Sequence, residues 1–403
     1  MLTTTLNEMG ERSLKVGRPL LMIPGPVICD PEVLSALSKP TLSHVSPKFI
    51  EIFSKTLEGL KKIFLTEKGE IFVVAGSGTL AMEMAIVNIC EPGDNVLILS
   101  NGYFGERFKE ICERYNLKVD YVEVKEWGEN IQPETVREKM QKKEYKAVTL
   151  THVDTSTSVS AKVKEIGEIV KDTDTVFIVD GVCATAGEEE RMDKWNIDIL
   201  FTASQKALGV PPGLAIIAFS TKALETYEKR KEPVKSYFMD IGLWKPIMDA
   251  YAEGQAAYFA TPPVNMIYAL YESVKQILEE GIEERFKRHQ TIAKAFREAL
   301  KALELQIVPI SEEYAANTVT GVYYPEGVTD EEFRKNMAKN GVIVAGGLGK
   351  LKGKIFRVGH MGTVQPTDIL ATIAAIENSL MKCGYKIKLG VGLEAAQEIL
   401  TKI

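Results

Sequence analysis

The sequence is poor in the residues that mark several large classes of protein. Among its 403 residues there are five cysteines and four histidines, and the cysteines are scattered, without the paired spacing of a metal centre or a disulfide scaffold. No apolar run approaches the ~18 residues that span a bilayer, and residues 1–11 lack the apolar core of a secretory signal. We therefore expect a cytoplasmic protein in a reducing environment.

An excess of charge of one sign is also absent. The chain has 49 basic and 55 acidic residues, a net charge of −6, so no strong field favours binding to nucleic acid or to an anionic membrane. A hydrophobic fraction of 45% excludes a disordered chain. A length of 403 residues predicts two to three domains and is typical of an enzyme.

The sequence does contain a long alternation of β-rich runs and helical stretches between Gly69 and Ser220. Several runs are almost entirely apolar, as in strands that are buried on both faces of a mainly parallel sheet. Leu80, Met84 and Val87 have the spacing of one face of a helix. The pattern predicts one large α/β layer structure. The predicted strands are 71–75, 95–100, 118–122, 147–151, 175–180, 197–202 and 214–219.

The pattern changes after Pro263. Gly281 separates two long predicted helices, at 264–280 and 282–303, and the pattern beyond them predicts a smaller α+β domain. The strands predicted there are 305–309, 318–324, 342–344 and 355–358, and the helices lie near 330–340 and 366–382. The expected organisation is an N-terminal arm at 1–20, a large domain at 21–263, a small C-terminal domain at 264–385 and a helical tail at 386–403.

Lys206 follows an apolar strand and precedes a turn rich in glycine and proline. This places it at the carboxyl edge of the sheet, where ligands bind in open α/β folds. A lysine among apolar neighbours loses hydration, its pKa falls, and the free amine can form a Schiff base with an aldehyde. The alternative is a lysine whose stem packs at the strand end while its amine reaches water.

Asp180 ends the apolar strand that comes before the strand of Lys206. An aspartate after a strand is often a helix cap. Paired with Lys206, however, it resembles one end of a pyridoxal phosphate site, in which a lysine holds the aldehyde and an aspartate pairs with the pyridine nitrogen. An ionised Asp180 would keep that nitrogen protonated.

A segment rich in glycine and hydroxyl groups opens the helix after the first predicted strand. Ser77, Gly78 and Thr79 combine a sharp turn, the free amide groups of a helix start and two hydroxyl groups, which together suit a phosphate. The alternative is a simple turn in which Ser77 or Thr79 caps the helix. The segment is not a Walker loop, because the Gly-Lys-Ser/Thr sequence is absent.

Together these segments resemble the class V aminotransferase family, and within it the serine–pyruvate / alanine–glyoxylate aminotransferase branch. The resemblance extends from Pro24 to about Lys382. Its motifs are Asn101-Gly102 with Gly105, His152 to Thr157, Ser204-Gln205-Lys206-Ala207-Leu208, Pro211-Pro212-Gly213 and Gly346-Gly347-Leu348-Gly349. The resemblance implies the type I fold of the enzymes that use pyridoxal 5′-phosphate, and that group as the cofactor.

The resemblance also implies roles for single residues. Lys206 would hold the cofactor and carry the proton of the reaction, Asp180 would bind the ring nitrogen, and Thr155 would bind the ring hydroxyl. The phosphate contacts would come from Gln205, Ser77, Gly78 and Thr79.

Three further assignments come from the resemblance. Phe104 stands where family members carry an aromatic residue, often tryptophan, stacked on the pyridine ring; it could instead be a core aromatic at a helix start. A phenyl face stacks with less area than tryptophan. Tyr258 and Thr261 match positions that reach the phosphate of a partner subunit, which implies a homodimer with shared active sites. The alternative is a loop in which Thr261 caps the next helix.

Arg357 matches the arginine that binds the substrate carboxylate with two parallel hydrogen bonds, and the resemblance places Gly25 in the same substrate site. The alternative for Arg357 is a position on the solvent face of its strand. His360 and His44 receive no role, and Cys183 is expected to pack rather than to react.

Three functions are consistent with these residues. The favoured one is a transaminase that moves the amino group of alanine or serine to glyoxylate or pyruvate, with ureidoglycine and aminoethylphosphonate left open as donors. A lyase or cysteine desulfurase would need a mobile, nucleophilic cysteine, for which Cys383 is the small-domain candidate. A relative that has lost its cofactor is the third function, and the presence of both Lys206 and Asp180 argues against it.

Overall fold

The structure, a computed structural model, describes residues 19–401. Its strands are β1 (Leu20–Leu21), β2 (Glu70–Gly76), β3 (Asn95–Ser100), β4 (Lys118–Glu123), β5 (Ala147–Thr151), β6 (Val153–Asp154), β7 (Val159–Ser160), β8 (Val176–Asp180), β9 (Ile199–Ala203), β10 (Gly213–Phe219), β11 (Val319–Tyr323), β12 (Val342–Ile343), β13 (Ala345–Gly346) and β14 (Ile355–Gly359). Its helices are α1 (Pro31–Leu37), α2 (Pro47–Phe64), α3 (Gly78–Ile89), α4 (Tyr103–Arg114), α5 (Pro133–Lys142), α6 (Val163–Val170), α7 (Thr221–Glu228), α8 (Ile241–Ala252), α9 (Val264–Glu280), α10 (Ile282–Ala302), α11 (Asp330–Lys339), α12 (Pro366–Lys382) and α13 (Val391–Leu400). None of these helices is both long enough and apolar enough to cross a lipid bilayer.

Seven strands form the main sheet, in the order β2–β10–β9–β8–β5–β3–β4. β10 runs antiparallel to β2 and β9, and the other neighbouring strands are parallel. Each strand predicted between residues 71 and 219 is present, and no end moves by more than two residues. The predicted α/β fold with a mainly parallel, mixed sheet is therefore confirmed.

The burial of the central strands explains why the sheet could be predicted from the sequence. Every residue of β5, β8 and β9 is buried, and their β-branched and aromatic side chains suit strands that are covered on both faces. α3 packs against β9 and β10, and α4 packs against β3 and β5. Because β5, β8 and β9 are parallel neighbours, their carboxyl ends meet at one edge of the sheet.

A second core begins after α9. That helix packs against α1 and α2, and its apolar side chains belong to the core of the main sheet. Side chains of α10, α11, α12 and α13 form another core with β11 and β14. The helices of the second core all lie beyond Gly281, but Val319 of β11 and Ile355 of β14 pack into the first core. The two cores therefore do not separate at one point in the chain, and the domain boundaries predicted from the sequence stay predictions.

The two ends of the described chain both pack on the second core. β1 pairs in parallel with β12, while residues 1–18 of the predicted arm lie outside the described residues. The helix expected in the tail is present as α13, which packs against α10 and α12.

One predicted strand is wrong. Residues 305–309 form no strand, and only Ile307 makes an isolated bridge, to Val322. The amide of Val308 still donates to the carbonyl of Gly321, over 2.9 Å. Pro309 has no amide hydrogen and cannot continue this pairing, so the apolar run stays an irregular segment beside β11.

Candidate functional site

Asp180 and Lys206 lie at the same edge of the main sheet. Asp180 is the last residue of β8, and Lys206 follows the end of the neighbouring strand β9. Both side chains line one cavity of about 260 Å³. The other residues of its wall are Gly25, Pro26, Ser77, Gly78, Thr79, Met82, Phe104, Arg107, Val182, Gln205 and Pro212. Eight of the twelve predicted site residues therefore meet in this cavity.

Lys206 is buried, with 8% of its surface exposed, and its amine donates a hydrogen bond to the carbonyl of Pro24. Burial lowers the pKa of the Lys206 ammonium, and the nearby Arg357 guanidinium acts in the same direction. An uncharged amine is the form that attacks an aldehyde. The alternative of a lysine whose amine reaches water is wrong.

Gly25 lies against the stem of Lys206. Its backbone has φ +116°, and a Cβ atom there would stand 2.7 Å from Cδ and 2.9 Å from Cε of the lysine. Any side chain would both strain the backbone and displace Lys206. Gly25 is therefore required to let the lysine reach the cavity.

Asp180 is buried and accepts a hydrogen bond from the amide of Val182, over 2.9 Å. Burial raises the pKa of the Asp180 carboxyl group to about 7, and the neighbouring Asp154 adds to that rise. Such a group needs a positive partner to stay ionised near neutral pH. A protonated pyridine nitrogen is a partner of that kind.

The segment predicted to hold a phosphate opens α3. Ser77 is the N-cap residue, but its side chain makes no capping hydrogen bond. The first amide groups of the helix thus lack their usual side-chain acceptor, and they suit an anion. A Cβ atom on Gly78 would stand 2.8 Å from Val182 Cγ2, so the turn packs closely against the segment after β8.

The opposite wall is fixed by Asp154. This buried carboxylate accepts from the amide of Phe104, over 2.9 Å, and from the amide of Ser156, also over 2.9 Å. A Cβ atom on Gly102 would fall 2.4 Å from Asp154 Cγ. The start of α4, and with it the Phe104 ring in the cavity wall, is therefore held against the β6–β7 hairpin.

The residues present fit a phosphorylated pyridine aldehyde. Gln205 Oε1 is buried without a hydrogen-bond partner among the described residues, which is the state of a polar group that awaits a ligand. The cavity also combines an amine with a lowered pKa, a carboxyl group with a raised pKa and a helix start with uncapped amides. Each of these would meet a different end of such a ligand.

Arg107 lines the cavity, although the sequence did not mark it as a candidate. It donates from Nη1 to Thr79 Oγ1 over 3.0 Å, and its Cζ stands 4.8 Å from the centre of the Phe104 ring. Within residues 19–401 no carboxylate forms a salt bridge with it. Its spacing from Phe104 puts both residues on one face of α4. This spacing is the feature of the sequence that could have identified Arg107 as a cavity residue.

We predict that Arg107→Gln weakens the binding of pyridoxal phosphate. The loss of a charge beside the segment that is predicted to hold the phosphate should raise the dissociation constant about tenfold or more. Absorbance titration of cofactor-free protein measures this constant. Arg114→Gln, at the exposed end of the same helix, is the matched control and should bind like the unmodified protein; equal affinities for both variants would contradict the prediction.

Arg357 and Thr155 lie together but outside the wall of this cavity. Arg357 is buried in β14, where Nε donates to the carbonyl of Gly346 over 2.8 Å and Nη1 donates to the carbonyl of Thr155 over 2.9 Å. The alternative of a solvent-facing arginine is wrong. The guanidinium is close enough to influence the pKa of Lys206.

Tyr258 and Thr261 are exposed and do not line the cavity. Tyr258 has 66% of its surface accessible, and its ring centre lies 5.4 Å from that of His44. The described chain therefore does not bring either residue to Lys206.

None of the remaining candidate residues lines the cavity. His360 is buried, with Nε2 2.8 Å from Thr320 Oγ1, and burial lowers its pKa to about 3. Cys183 is buried, and its burial raises the pKa of the thiol. Cys383 caps α12, where the side-chain amide of Asn336 donates to its sulfur, and it is not in the cavity wall.

Sequence comparison gives the family. The class-V aminotransferase model matches residues 32–358, and the chain belongs to that family. It is an aminotransferase whose cofactor is pyridoxal 5′-phosphate, the group that the cavity residues fit.

Individual relatives cover nearly the whole chain. An uncharacterised aminotransferase of Methanocaldococcus jannaschii is 43% identical over 387 residues, which are 96% of this chain and 98% of the relative. Alanine–glyoxylate aminotransferase 1 of Saccharomyces cerevisiae is 38% identical over 85% of this chain and 91% of its own. The crystal structure of ureidoglycine–glyoxylate aminotransferase from Bacillus subtilis matches with a TM-score of 0.89 at 32% identity, covering 97% of this chain and all of that one. The family and fold indicated by the motifs are confirmed.

Proposed function

We propose that this aminotransferase moves the amino group of a small amino acid, alanine or serine, to a small 2-oxo acid, glyoxylate or pyruvate. The observation that carries the proposal is the meeting of Lys206 and Asp180 in one cavity beside the uncapped start of α3. The yeast relative named as an alanine–glyoxylate aminotransferase supports this choice of substrates.

Bound pyridoxal phosphate withdraws electrons from the substrate and makes the hydrogen on its Cα acidic. Lys206 Nζ would take this proton from Cα and deliver it to the carbon that carried the aldehyde oxygen of the cofactor. Burial lowers the pKa of Lys206, which favours the uncharged, basic form of the amine. Asp180 would hold the ring nitrogen and Thr155 the ring hydroxyl. The phosphate would be bound by Gln205, Ser77, Gly78 and Thr79, and Phe104 would stack on the ring.

Arg357 would bind the substrate carboxylate. Its Nε and one N–H of Nη1 donate to the carbonyls of Gly346 and Thr155, so Nη2 and the second N–H of Nη1 are left for the substrate carboxylate. Because the second of these bonds ends on Thr155, the cofactor and carboxylate sites share one backbone segment. Gly25 would leave room for a small substrate beside Lys206.

We further propose a homodimer in the cytoplasm, with the phosphate site completed across the interface. Tyr258 and Thr261 are exposed on the single chain, as residues that serve a partner must be. An aromatic surface adjoins them, since Tyr237 is 74% exposed and its ring centre lies 5.2 Å from that of Phe259. Large exposed aromatic groups are typical of protein interfaces. Cys90, Cys112, Cys183 and Cys383 form no disulfide in residues 19–401, which suits a reducing compartment.

A grid of half-reactions tests the proposed substrates. L-alanine and L-serine, each mixed with the cofactor-loaded enzyme, should bleach the visible cofactor band and release pyruvate and hydroxypyruvate, and glyoxylate or pyruvate should restore the band. L-aspartate and L-glutamate are the controls that extend beyond a small side chain, and we expect them to bleach the band more slowly. Release of pyruvate with ammonia from serine would indicate a lyase instead, and a faster reaction with aspartate would overturn the choice of donor.

A further inference from the structure

Three charged residues meet at the junction of the two long helices, outside the proposed cofactor and substrate contacts. Glu280 ends α9, and Arg285 and Arg288 lie in the first two turns of α10. Glu280 accepts from Arg285 Nη1 over 2.7 Å and from Arg288 Nε over 2.6 Å. We call Glu280, Arg285 and Arg288 the junction triad.

Arg285 links the two segments that carry the proposed catalytic groups. It is 4% exposed. Nε donates to the carbonyl of Ala186 over 2.8 Å, and Nη2 donates to the carbonyl of Ala207 over 2.7 Å. Ala207 directly follows Lys206, and Ala186 lies in the turn after Asp180, with a φ of +67°. A single guanidinium thus fixes the distance between the two backbones.

Arg288 extends this linkage to the strand that carries Arg357. Its Nη2 donates to the carbonyl of Gly362 over 2.9 Å, and its Nη1 donates to that of Val364 over 3.1 Å, just beyond the end of β14. His289 adds a third bond, since its Nε2 accepts from the amide of Gly362 over 3.0 Å. The carbonyl of Arg285 is 2.8 Å from His289 Nδ1, so the proton sits on Nδ1 and the imidazole is neutral.

We propose that Arg285 is a positioning residue for Lys206, which it holds at a fixed distance from Asp180 through the carbonyls of Ala207 and Ala186. The inference rests on the proposed role of Lys206 as the residue that holds the cofactor. Glu280 and Arg288 orient the Arg285 fork and tie the same network to the segment after Arg357.

The planar guanidinium of Arg285 is what allows it to position Lys206. An arginine presents five N–H groups in a fixed plane, and lysine cannot reproduce two separated bonds together with an ion pair. A displacement of about 1 Å at a reacting group costs about 100-fold in rate. Loss of the Arg285 bonds should therefore act on the position of Lys206 in addition to any effect on folding.

Arg297 provides a matched control. It lies on the same helix, is 7% exposed, and donates from Nη1 to the carbonyl of Ala316 over 3.1 Å, with no bond to the Lys206 or Asp180 segments among those described. Arg285→Met and Arg297→Met both remove a buried guanidinium and keep an apolar stem. Both should lower the melting temperature of the cofactor-free protein.

The two variants should differ once pyridoxal phosphate is bound. In Arg285→Met the pH midpoint of the visible cofactor band should move by about half a unit or more, because the backbone at Ala207 is released and the Lys206 amine changes its position relative to Asp180. Its kcat should fall about 10- to 100-fold with little change in KM. Arg297→Met should keep the midpoint and the kcat of the unmodified enzyme.

Arg285→Lys covers the case in which Arg285→Met does not fold. It keeps the charge but loses the two separated bonds to Ala186 and Ala207, so we expect the kcat to fall and the midpoint to move as in Arg285→Met. The proposal is overturned if both Arg285 variants retain kcat, or if they change kcat and midpoint no more than Arg297→Met does. Absence of a visible band in the unmodified enzyme would instead refute the proposed cofactor role of Lys206.

Discussion

Replacing Lys206 by alanine is expected to lower the transamination rate at least about 1000-fold, because no other amine of residues 19–401 lines the cavity to move the proton. The protein should still fold, since the substitution removes a buried amine that folding has to desolvate. The measurement is the rate of pyruvate formation from alanine, together with the melting temperature. Lys194→Ala, at an exposed position, should leave both values unchanged.

Chemical rescue separates the proton-transfer role of Lys206 from a structural one. Methylamine added to Lys206→Ala enters the space left by the side chain and should restore part of the rate in proportion to its uncharged fraction. A variant that merely misfolded would gain nothing from the amine. Turnover within tenfold of the unmodified enzyme would rule out Lys206 as the base.

Asp180→Asn is expected to produce two effects of opposite sign. The kcat should fall about 100- to 1000-fold, since an amide cannot keep a ring nitrogen protonated and the developing charge loses its stabilisation. The cofactor-free protein should nevertheless become more stable above neutral pH. The reason lies in the environment of Asp180, where burial raises the pKa of the carboxyl group from 3.8 to about 7.

The sign of the stability change follows from proton binding. Between pH 4 and 7 the folded protein keeps a proton on Asp180 that the unfolded chain releases, so the cost of this group is absent near pH 4 and full above pH 7. A shift from 3.8 to about 7 corresponds to about 4 kcal/mol. Unfolding by urea should therefore show Asp180→Asn to be more stable than the unmodified protein at pH 8 and equally stable at pH 4.

An exposed aspartate gives the control for this experiment. Asp172→Asn, at an exposed position, should follow the unmodified protein at both pH values. Equal stability of Asp180→Asn and the unmodified protein at pH 8 would show that Asp180 is not buried as a costly charge.

The main sheet and its edge could be predicted because apolar β-rich runs are unambiguous when both faces of a strand are buried. The same logic placed Asp180 and Lys206 at neighbouring carboxyl ends. It failed at residues 305–309, where an equally apolar run lies beside a sheet without joining it, and the run alone does not distinguish these cases. The surroundings of Arg357 also needed the structure, because alternation in a short strand leaves the buried face open.

The roles of Arg107 and the junction triad could not be predicted from the sequence, for a different reason. Arg107 acts across a helix turn from Phe104 and contacts Thr79 on another helix, so only its spacing was visible in the sequence. Arg285 binds backbone carbonyls at Ala186 and Ala207. Every residue has a backbone carbonyl, so the sequence does not show which carbonyls accept a hydrogen bond from an arginine. In the sequence such an arginine cannot be distinguished from an ordinary charged residue on a helix surface.

The attachment of the cofactor to Lys206 is the central claim, and reductive trapping tests it most directly. Protein loaded with pyridoxal phosphate is treated with sodium borohydride, which fixes the cofactor to the amine that holds it, and the digested chain is mapped by mass spectrometry. The account predicts one phosphopyridoxyl group, on the peptide that contains Lys206. Modification of a different lysine, or no modification of a protein that shows the visible band, would contradict it.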